Sequence, residues 1–341
     1  MTRQVKIAVE AIAGRALLVE NAGAVHYNVE VTNVRISGHL VLALACAPLL
    51  MGGACEKKPD KPTDTDVISA LEHAGSHGSG AVDGPIDTTP LPGIDASKLG
   101  DDKQKLFFKL VGSLNSPCGK AHSLRKSFTS DTSCKRAPFA VRYVLAMIED
   151  EGPEDLVRTM FTAKYEKKDP PVKFDLSKEP HVGSDDASIR LVEFYDYGCP
   201  HCEEFVSAME KVLAEEKGKV IAYFMHFNLG HFPNSKEAAQ AALAAAAQGK
   251  FMQMHDLLFK NRSAHDAASL DGYAQQLGLD MTKFKADYAA AEPHVDAQKA
   301  QGDAAGVDST PTLYFNDRKY EGLMSPKYIE MWIDEEMAVN R

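Results

Sequence analysis

Two cysteines separated by two residues, in Cys199-Pro200-His201-Cys202, are the strongest chemical signal in this chain. At that spacing both sulfurs can meet across the first turn of a helix, so the pair can close and reopen an intramolecular disulfide. The flanking residues predict such a turn. Ser188 to Tyr195 (SIRLVEFY) reads as a strand, and Cys202 to Lys217 reads as a helix with Phe205, Met209, Val212 and Leu213 on one face. Cys199 is then expected to be the more exposed partner, facing the unpaired N–H groups of a helix N-terminus, where a thiolate is favoured. A cationic His201 beside it would add a second stabilising charge, and Pro200 suits the first helical position. Such a pair favours its reduced form, which makes its disulfide an oxidant.

Other readings of the same residues are weaker. Zinc would need a second ligand pair, and Cys118 and Cys134 are too far apart in sequence to match common zinc spacing. A purely structural bridge across so short a loop would stabilise little. His226, His231 and His255 read as surface or satisfied histidines. Met252 and Met254, among Phe251, Leu257 and Leu258, read as core residues before copper ligands.

The composition bounds what can position this motif. Of 341 residues, 44% are hydrophobic and 25% charged, which is ordinary for a globular chain, and a net charge of -10 argues against nucleic acid as a partner. No apolar run reaches the roughly 18 to 20 residues of a membrane span. The apolar block Leu40 to Met51 has export-signal anatomy, being preceded by Arg35 and followed by Gly52, Gly53, Ala54 and Cys55. Those small residues before Cys55 resemble a bacterial lipobox, which makes Cys55 the expected lipidation site and mature N-terminus. Residues 1–55 are therefore read as an N-terminal extension plus export signal, the first 33 residues being an over-extended reading frame. Residues 56–97, rich in Gly, Pro and Ser, read as a disordered tether.

Residues 98–165 read as a small helical domain of three short amphipathic helices. Cys118 and Cys134 lie in its connecting region, where a structural bridge would add roughly 3 kcal/mol by loop closure in an oxidising compartment. A second redox centre is the other reading of that pair. After a linker at 167–187, the strand Ser188 to Tyr195, the helix and a strand Val220 to Phe227 make a βαβ unit. An Ala-rich helix at Lys236 to Gln248 and three further helices to about 305 come next. A hairpin (Pro311 to Asn316, Lys319 to Gly322) and a last helix capped by Ser325 complete the order. That is an α/β pattern fitting a thioredoxin-like sheet with an inserted helical subdomain.

GCPHC after VEFYDY, together with Ser309-Thr310-Pro311-Thr312 before a strand, resembles the DsbA-like thioredoxin-fold family of bacterial disulfide oxidoreductases, over residues 173–341. The resemblance implies that Cys199 is the attacking thiol, Cys202 the buried resolving thiol, and Pro200 and His201 the dipeptide that tunes redox poise. Pro311 matches the family's cis-proline, with Thr310 before it. Glu193 matches a buried acid that assists proton transfer near the resolving thiol, and an acid on a strand face shared with Ile189 and Leu191 is unexpected in its own right. The implied function is donation of a disulfide to extended cysteine-containing proteins through a mixed disulfide. It needs no cofactor beyond the redox-active Cys199-Cys202 pair. A membrane partner, an oxidase before a reductase, would reoxidise the enzyme, and the protein would sit in the cell envelope or periplasm as a lipoprotein. The alternatives are a periplasmic reductase or isomerase, and a metal-binding or chaperone-like lipoprotein on the same fold.

Overall fold

The computed structural model describes residues 85–339 except 168. The apolar block Leu40 to Met51, Cys55 and the larger part of the stretch 56–97 lie outside the described residues. The last residues of that stretch already pack against the helices. Leu91 and Ala96 are buried and Ile94 packs beside them, while Arg125 Nη2 donates to the carbonyls of Asp87 and Thr89 at 2.6 and 3.0 Å. The end of the expected tether therefore belongs to the helical unit, because a few well-placed apolar residues suffice to fill gaps in its surface.

That unit holds four helices where three were expected: α1 (Asp101–Ser113), α2 (Leu124–Thr129), α3 (Ala137–Glu149) and α4 (Glu154–Tyr165). The additional helix, α2, is one short turn-and-a-half between the two cysteines, capped by Ser123, whose side chain accepts from the Lys126 N–H. Phe107, Leu110, Val111, Val141, Val144, Met147, Val157 and Phe161 form the core, each nearly or wholly buried. Cys118 and Cys134 are joined as a disulfide with Cα atoms 5.8 Å apart.

The second part is a five-stranded sheet in the order β1-β3-β2-β4-β5. Its strands are β1 (His181–Gly183), β2 (Ile189–Tyr195), β3 (Val220–His226), β4 (Thr312–Phe315) and β5 (Arg318–Lys319). β2 and β3 are parallel, joined by α5 (Pro200–Glu215), and β4 runs antiparallel to β2. β1, which pairs antiparallel with β3, falls in what reads as a linker, and at three residues it is too short to show a period of two. The insertion between β3 and β4 contains five helices, one more than the sequence pattern resolves: α6 (Ser235–Ala246), α7 (Phe251–Lys260), α8 (Ala267–Gln276), α9 (Met281–Ala290) and α10 (Glu292–Ala304). The last two are separated by Ala291 alone, so their apolar patterns run together. α11 (Pro326–Val339) is the last described helix. This is a thioredoxin-like fold with a helical insertion.

Alternation along β2 sets its two layers. Ile189, Leu191 and Tyr195 face the larger core with Phe205, Met209 and Val212 of α5, whereas Val192 and Phe194 face a smaller cluster with Met225, Phe227 and Tyr314. Glu193 thus falls on the face toward α5.

The helical unit rests on α11. Tyr328 is part of its core, and a charged cluster lies beside it. Glu335, 1% exposed, accepts from Arg136 Nη1 at 2.6 Å and from the Tyr165 hydroxyl at 2.9 Å, and pairs with Lys164 Nζ at 3.0 Å. Glu336 takes Arg318 at 2.7 Å. Lys164 Nζ also sits 3.5 Å above the Trp332 ring. Burial lowers the Lys164 pKa to about 8 against the opposing pull of Glu335. Glu335→Ala would leave a buried ammonium and a buried phenol without their acceptor, and removal of one partner from such a pair costs about 3–5 kcal/mol. The expected outcome is a loss of that size in urea unfolding followed by Trp332, the single tryptophan of the chain. A loss below about 1 kcal/mol would mean that the cluster contributes little to docking.

Candidate active site

Register brings the two halves of the site together. Phe194 pairs with Thr312 at the C-terminal end of β2, so the residues that precede β4 run alongside the loop after β2. That first loop carries Cys199 and the second carries Thr310 and Pro311, whose peptide bond is cis. The Cys199 Sγ lies 3.4 Å from the Thr310 carbonyl oxygen, to which the thiol donates when it is protonated.

Cys199 is the N-cap of α5 and Pro200 its first residue, so the helix begins two residues earlier than the apolar period alone locates it. The Glu203 N–H donates to the Cys199 carbonyl at 3.2 Å, the first bond of the helix. Cys199 and Cys202 are both free thiols. Both are buried, at 4% and 1% exposure, Cys199 being the more exposed of the two. The pKa of Cys199 is nonetheless lowered from 9.0 to about 5. The largest cause is the hydrogen bond from the Cys202 thiol. Burial opposes it, and the Thr310 side chain and the backbone N–H groups of Cys202 and His201 add to the lowering. The Thr310 hydroxyl has no other partner, which leaves it available to the sulfurs. Burial, followed by the neighbouring Cys199, pushes the Cys202 thiol far up. One sulfur of the pair is therefore an anion at neutral pH and the other a proton donor to it.

His201 does not act as its residue type suggests. Its imidazole turns to solvent with Nδ1 3.5 Å from Glu204 Oε2, the side chain being 77% exposed. What position 201 supplies to the sulfur is a backbone N–H. An i, i+3 partner on the outer face of the helix draws the ring away.

Glu193 is 5% exposed, and burial raises its pKa to about 8. It lies on the same face of β2 as Tyr195, whose hydroxyl is held protonated first by burial and then by charge at Glu193 and at Cys202. A carboxyl poised near neutrality can exchange a proton with a group of similar or higher pKa without a large barrier.

Several residues that position the site carry no reading of their own in the sequence. Asp196 is wholly buried, and its carboxylate accepts from the Gly198 N–H at 2.9 Å, the Leu229 N–H at 2.9 Å and the Ser235 hydroxyl. Its backbone carbonyl accepts from the Cys199 N–H at 3.0 Å. The Asp-x-Gly pattern of a local side-chain turn, Asp196-Tyr197-Gly198, is the signal that could have found it. Phe232 packs where a Cβ on Gly198 would stand, 2.1 Å from its own Cβ, so position 198 admits no side chain. Arg262 donates to the Gly198 carbonyl at 3.1 Å and to Glu203 at 2.8 Å. Neither of these long-range partners has a local signature. His226 and His255 are buried; His226 shares Ser235 at 3.0 Å and His255 bonds the Tyr197 hydroxyl at 3.0 Å. Burial lowers their pKa values to about 4 and about 3, which keeps both neutral. Among the described residues no three His, Cys, Asp or Glu side chains come together to hold a metal ion.

These environments have two measurable outcomes. A Glu193 carboxyl of pKa about 8 in the folded protein and 4.5 in the unfolded chain costs nothing below pH 4.5. It then removes stability as pH rises from 4.5 to about 8, at about 1.4 kcal/mol per unit, and no more above that. In urea titrations of the disulfide form, Glu193→Gln should flatten this slope and exceed the native protein in stability at pH 9; parallel slopes would contradict a buried neutral acid. Asp196→Ala removes three hydrogen bonds from the loop that presents Cys199. The Cys199 pKa should move back toward 9 and thiol exchange should slow by more than tenfold, read by thiolate absorbance and stopped-flow mixing, with partial rescue by Asp196→Asn.

Residues 175–335 match the family model described as Thioredoxin. Among curated proteins, the Na(+)/H(+) antiporter NhaA of Herminiimonas arsenicoxydans is 33% identical over 157 residues, 45% of this chain and 24% of the antiporter. NhaA 1 of Salinispora arenicola (strain CNS-205) is 34% identical over 155 residues, 44% of this chain and 24% of that protein. The chain spans about a quarter of the length of these curated relatives, and among the described residues no helix is long and apolar enough to cross a membrane. Among solved structures, a thioredoxin-like oxidoreductase from Silicibacter pomeroyi DSS-3 is 25% identical, covering 48% of this chain and 91% of its own, with a TM-score of 0.41. Oxidised BdbD from Bacillus subtilis is 23% identical, covering 49% and 97%, with a TM-score of 0.44. Residues 175–335 of this chain thus carry a thioredoxin-like fold and match the Thioredoxin family model, and the motif GCPHC and the loop STPT both lie within the matched residues.

Proposed function

We propose that this chain is an exported thiol:disulfide oxidoreductase of the DsbA type, which donates the Cys199–Cys202 disulfide to substrate proteins. The observation that carries the reading is the division of acidity within the pair, Cys199 lowered to about 5 and Cys202 pushed far up. In the oxidised enzyme a substrate thiolate attacks Cys199 Sγ, the Cys199–Cys202 bond breaks, and Cys202 leaves and is protonated, with Glu193, the buried acid on the β2 face toward α5, as the proton source. The substrate's second thiolate then attacks its own sulfur in the mixed disulfide. Cys199 departs as a stable thiolate, two electrons having passed from the substrate dithiol to the enzyme. The Thr310-Pro311 loop beside Cys199 offers backbone to an extended substrate segment. A membrane-bound oxidase would restore the disulfide. Export and lipid anchoring at Cys55 are supported by the apolar block before it, and an oxidising compartment is supported by the Cys118–Cys134 disulfide.

The acidity of Cys199 supports donation of the disulfide as the direction of transfer. Its folded pKa lies below the unfolded value, so the thiolate contribution to the reduced form is complete above pH 9 and is lost as pH falls through 5. At pH 7 it amounts to two of those units, roughly 3 kcal/mol, which raises the potential of the pair by ~60 mV over one with an ordinary thiol. Thiolate absorbance of the reduced protein should therefore titrate near pH 5. Equilibration with glutathione should give a potential well above that of thioredoxin, about -270 mV, and Cys199→Ser should abolish oxidation of a reduced substrate protein. A potential near the thioredoxin value would make the protein a reductase. Stoichiometric Cu(I) binding without turnover would make it a binding module.

A further inference from the structure

Asp196 holds the reactive loop by main chain and side chain together. Its carbonyl accepts from the Cys199 N–H at 3.0 Å, and its carboxylate oxygen Oδ1 accepts from the Gly198 N–H at 2.9 Å. The other donors to this buried carboxylate are the Leu229 N–H at 2.9 Å, on Oδ2, and the Ser235 hydroxyl, on Oδ1. A carboxylate met by dipoles inside the protein depends on each of them being aimed at it.

The serine donor can point only one way. Its hydroxyl has a single proton, which goes to Asp196 Oδ1. The 3.0 Å bond between Ser235 Oγ and His226 Nε2 therefore runs in the other direction, with the imidazole donating and the hydroxyl oxygen accepting. His226 is thereby fixed as the Nε2–H tautomer, and its bare Nδ1 is the ring atom left buried without a partner. Burial keeps the ring neutral against the pull of the Asp196 charge. The frame around the imidazole is stiff. Its backbone N–H donates to Gln298 Oε1 at 3.1 Å, residue 226 pairs with Tyr195 across β2 and β3, and the Tyr197 ring is stacked on the imidazole with centroids 6.0 Å apart. Ser235, 1% exposed, opens the 12-residue α6, whose N-terminal field favours the carboxylate beside it.

We propose that His226 and Ser235 are positioning residues for the reactive thiol: the imidazole aims the serine proton at Asp196, and the carboxylate so held shapes the Cys199 loop without its charge opposing the Cys199 anion. This rests on Cys199 being the reactive thiol of the proposed exchange, and it is independent of the direction in which electrons pass. Loss of the serine proton acts twice in the same sense. The turn that presents Cys199 loses part of its anchor, and a less neutralised carboxylate beside the loop disfavours a second anion there.

The test follows alkylation of the reduced full chain by iodoacetamide from about pH 4 to 8, with the adduct on Cys199 mapped by mass spectrometry. Iodoacetamide reads the thiolate whichever way the disulfide is passed. From the native midpoint at about 5, Ser235→Ala is expected to move up by about one unit, leaving roughly fivefold less thiolate at pH 5 and nearly the same amount at pH 8. Structural damage alone would slow alkylation equally at every pH. His226→Phe keeps a flat ring without the donor and should reproduce the shift, whereas His226→Gln keeps an N–H donor and should restore most of the native midpoint. Added to Ser235→Ala, His226→Phe should move it no further. Nitrogen NMR of the native protein should show the His226 proton on Nε2, a reading that needs no variant to fold. A proton on Nδ1, a midpoint unmoved or lowered in Ser235→Ala, a further shift in the double variant, or a loss of rate uniform in pH would overturn the proposal.

Discussion

A sulfur shut away from water can carry negative charge only where donors replace the water it has lost, and the rest of this structure turns on meeting that condition at Cys199. The donors are the partner thiol, a threonine hydroxyl and two backbone N–H groups of the first helical turn. None of them is a formal charge. The thiolate is held by dipoles fixed in place before any reaction begins, so little reorganisation accompanies its formation or departure. Its position depends in turn on Asp196, whose carboxylate accepts from the Gly198 N–H within its own loop and from Leu229 and Ser235 at the start of the insertion. It depends as well on Phe232 and Arg262, which close over Gly198 from the insertion side. The helical insertion thus forms part of the wall behind the reactive loop.

The same low-dielectric setting acts in opposite directions on neighbouring groups. Burial raises Cys202 and Glu193 and keeps His226 and His255 neutral, outweighing the Thr310 hydrogen bond at Cys202 and the Asp196 charge near His226. Only Cys199 is supplied with enough donors to overcome desolvation. The buried pair therefore yields one sulfur anion where it is useful, with Cys202, Glu193, His226 and His255 neutral around it.

The helical unit illustrates how charge can join two substructures. Lys164, Arg136 and Arg318 converge on the adjacent carboxylates Glu335 and Glu336 of α11, with Trp332 and Tyr165 covering them. Removed from one another, these groups would be solvated individually, so the cluster specifies which face of α11 the unit covers more than it adds net stability.

What the sequence determined by itself was local: the CxxC at a strand-to-helix junction, the βαβ order, Pro311 before a strand, and an acid on an otherwise apolar face at Glu193. Each is encoded within a few residues by spacing, period or residue type. Neighbouring helices were counted short, as at α9 and α10, where a single residue between them leaves no break in the pattern, and β1 was too brief to register. Only the tertiary structure decided that the Cys199 sulfur is buried, that the His201 ring faces solvent beside Glu204, and that Asp196, Phe232 and Arg262 hold the loop. Those features arise from contacts between segments tens of residues apart. A side chain's solvation and the donors within its reach are set by the company that folding brings, which no local pattern records.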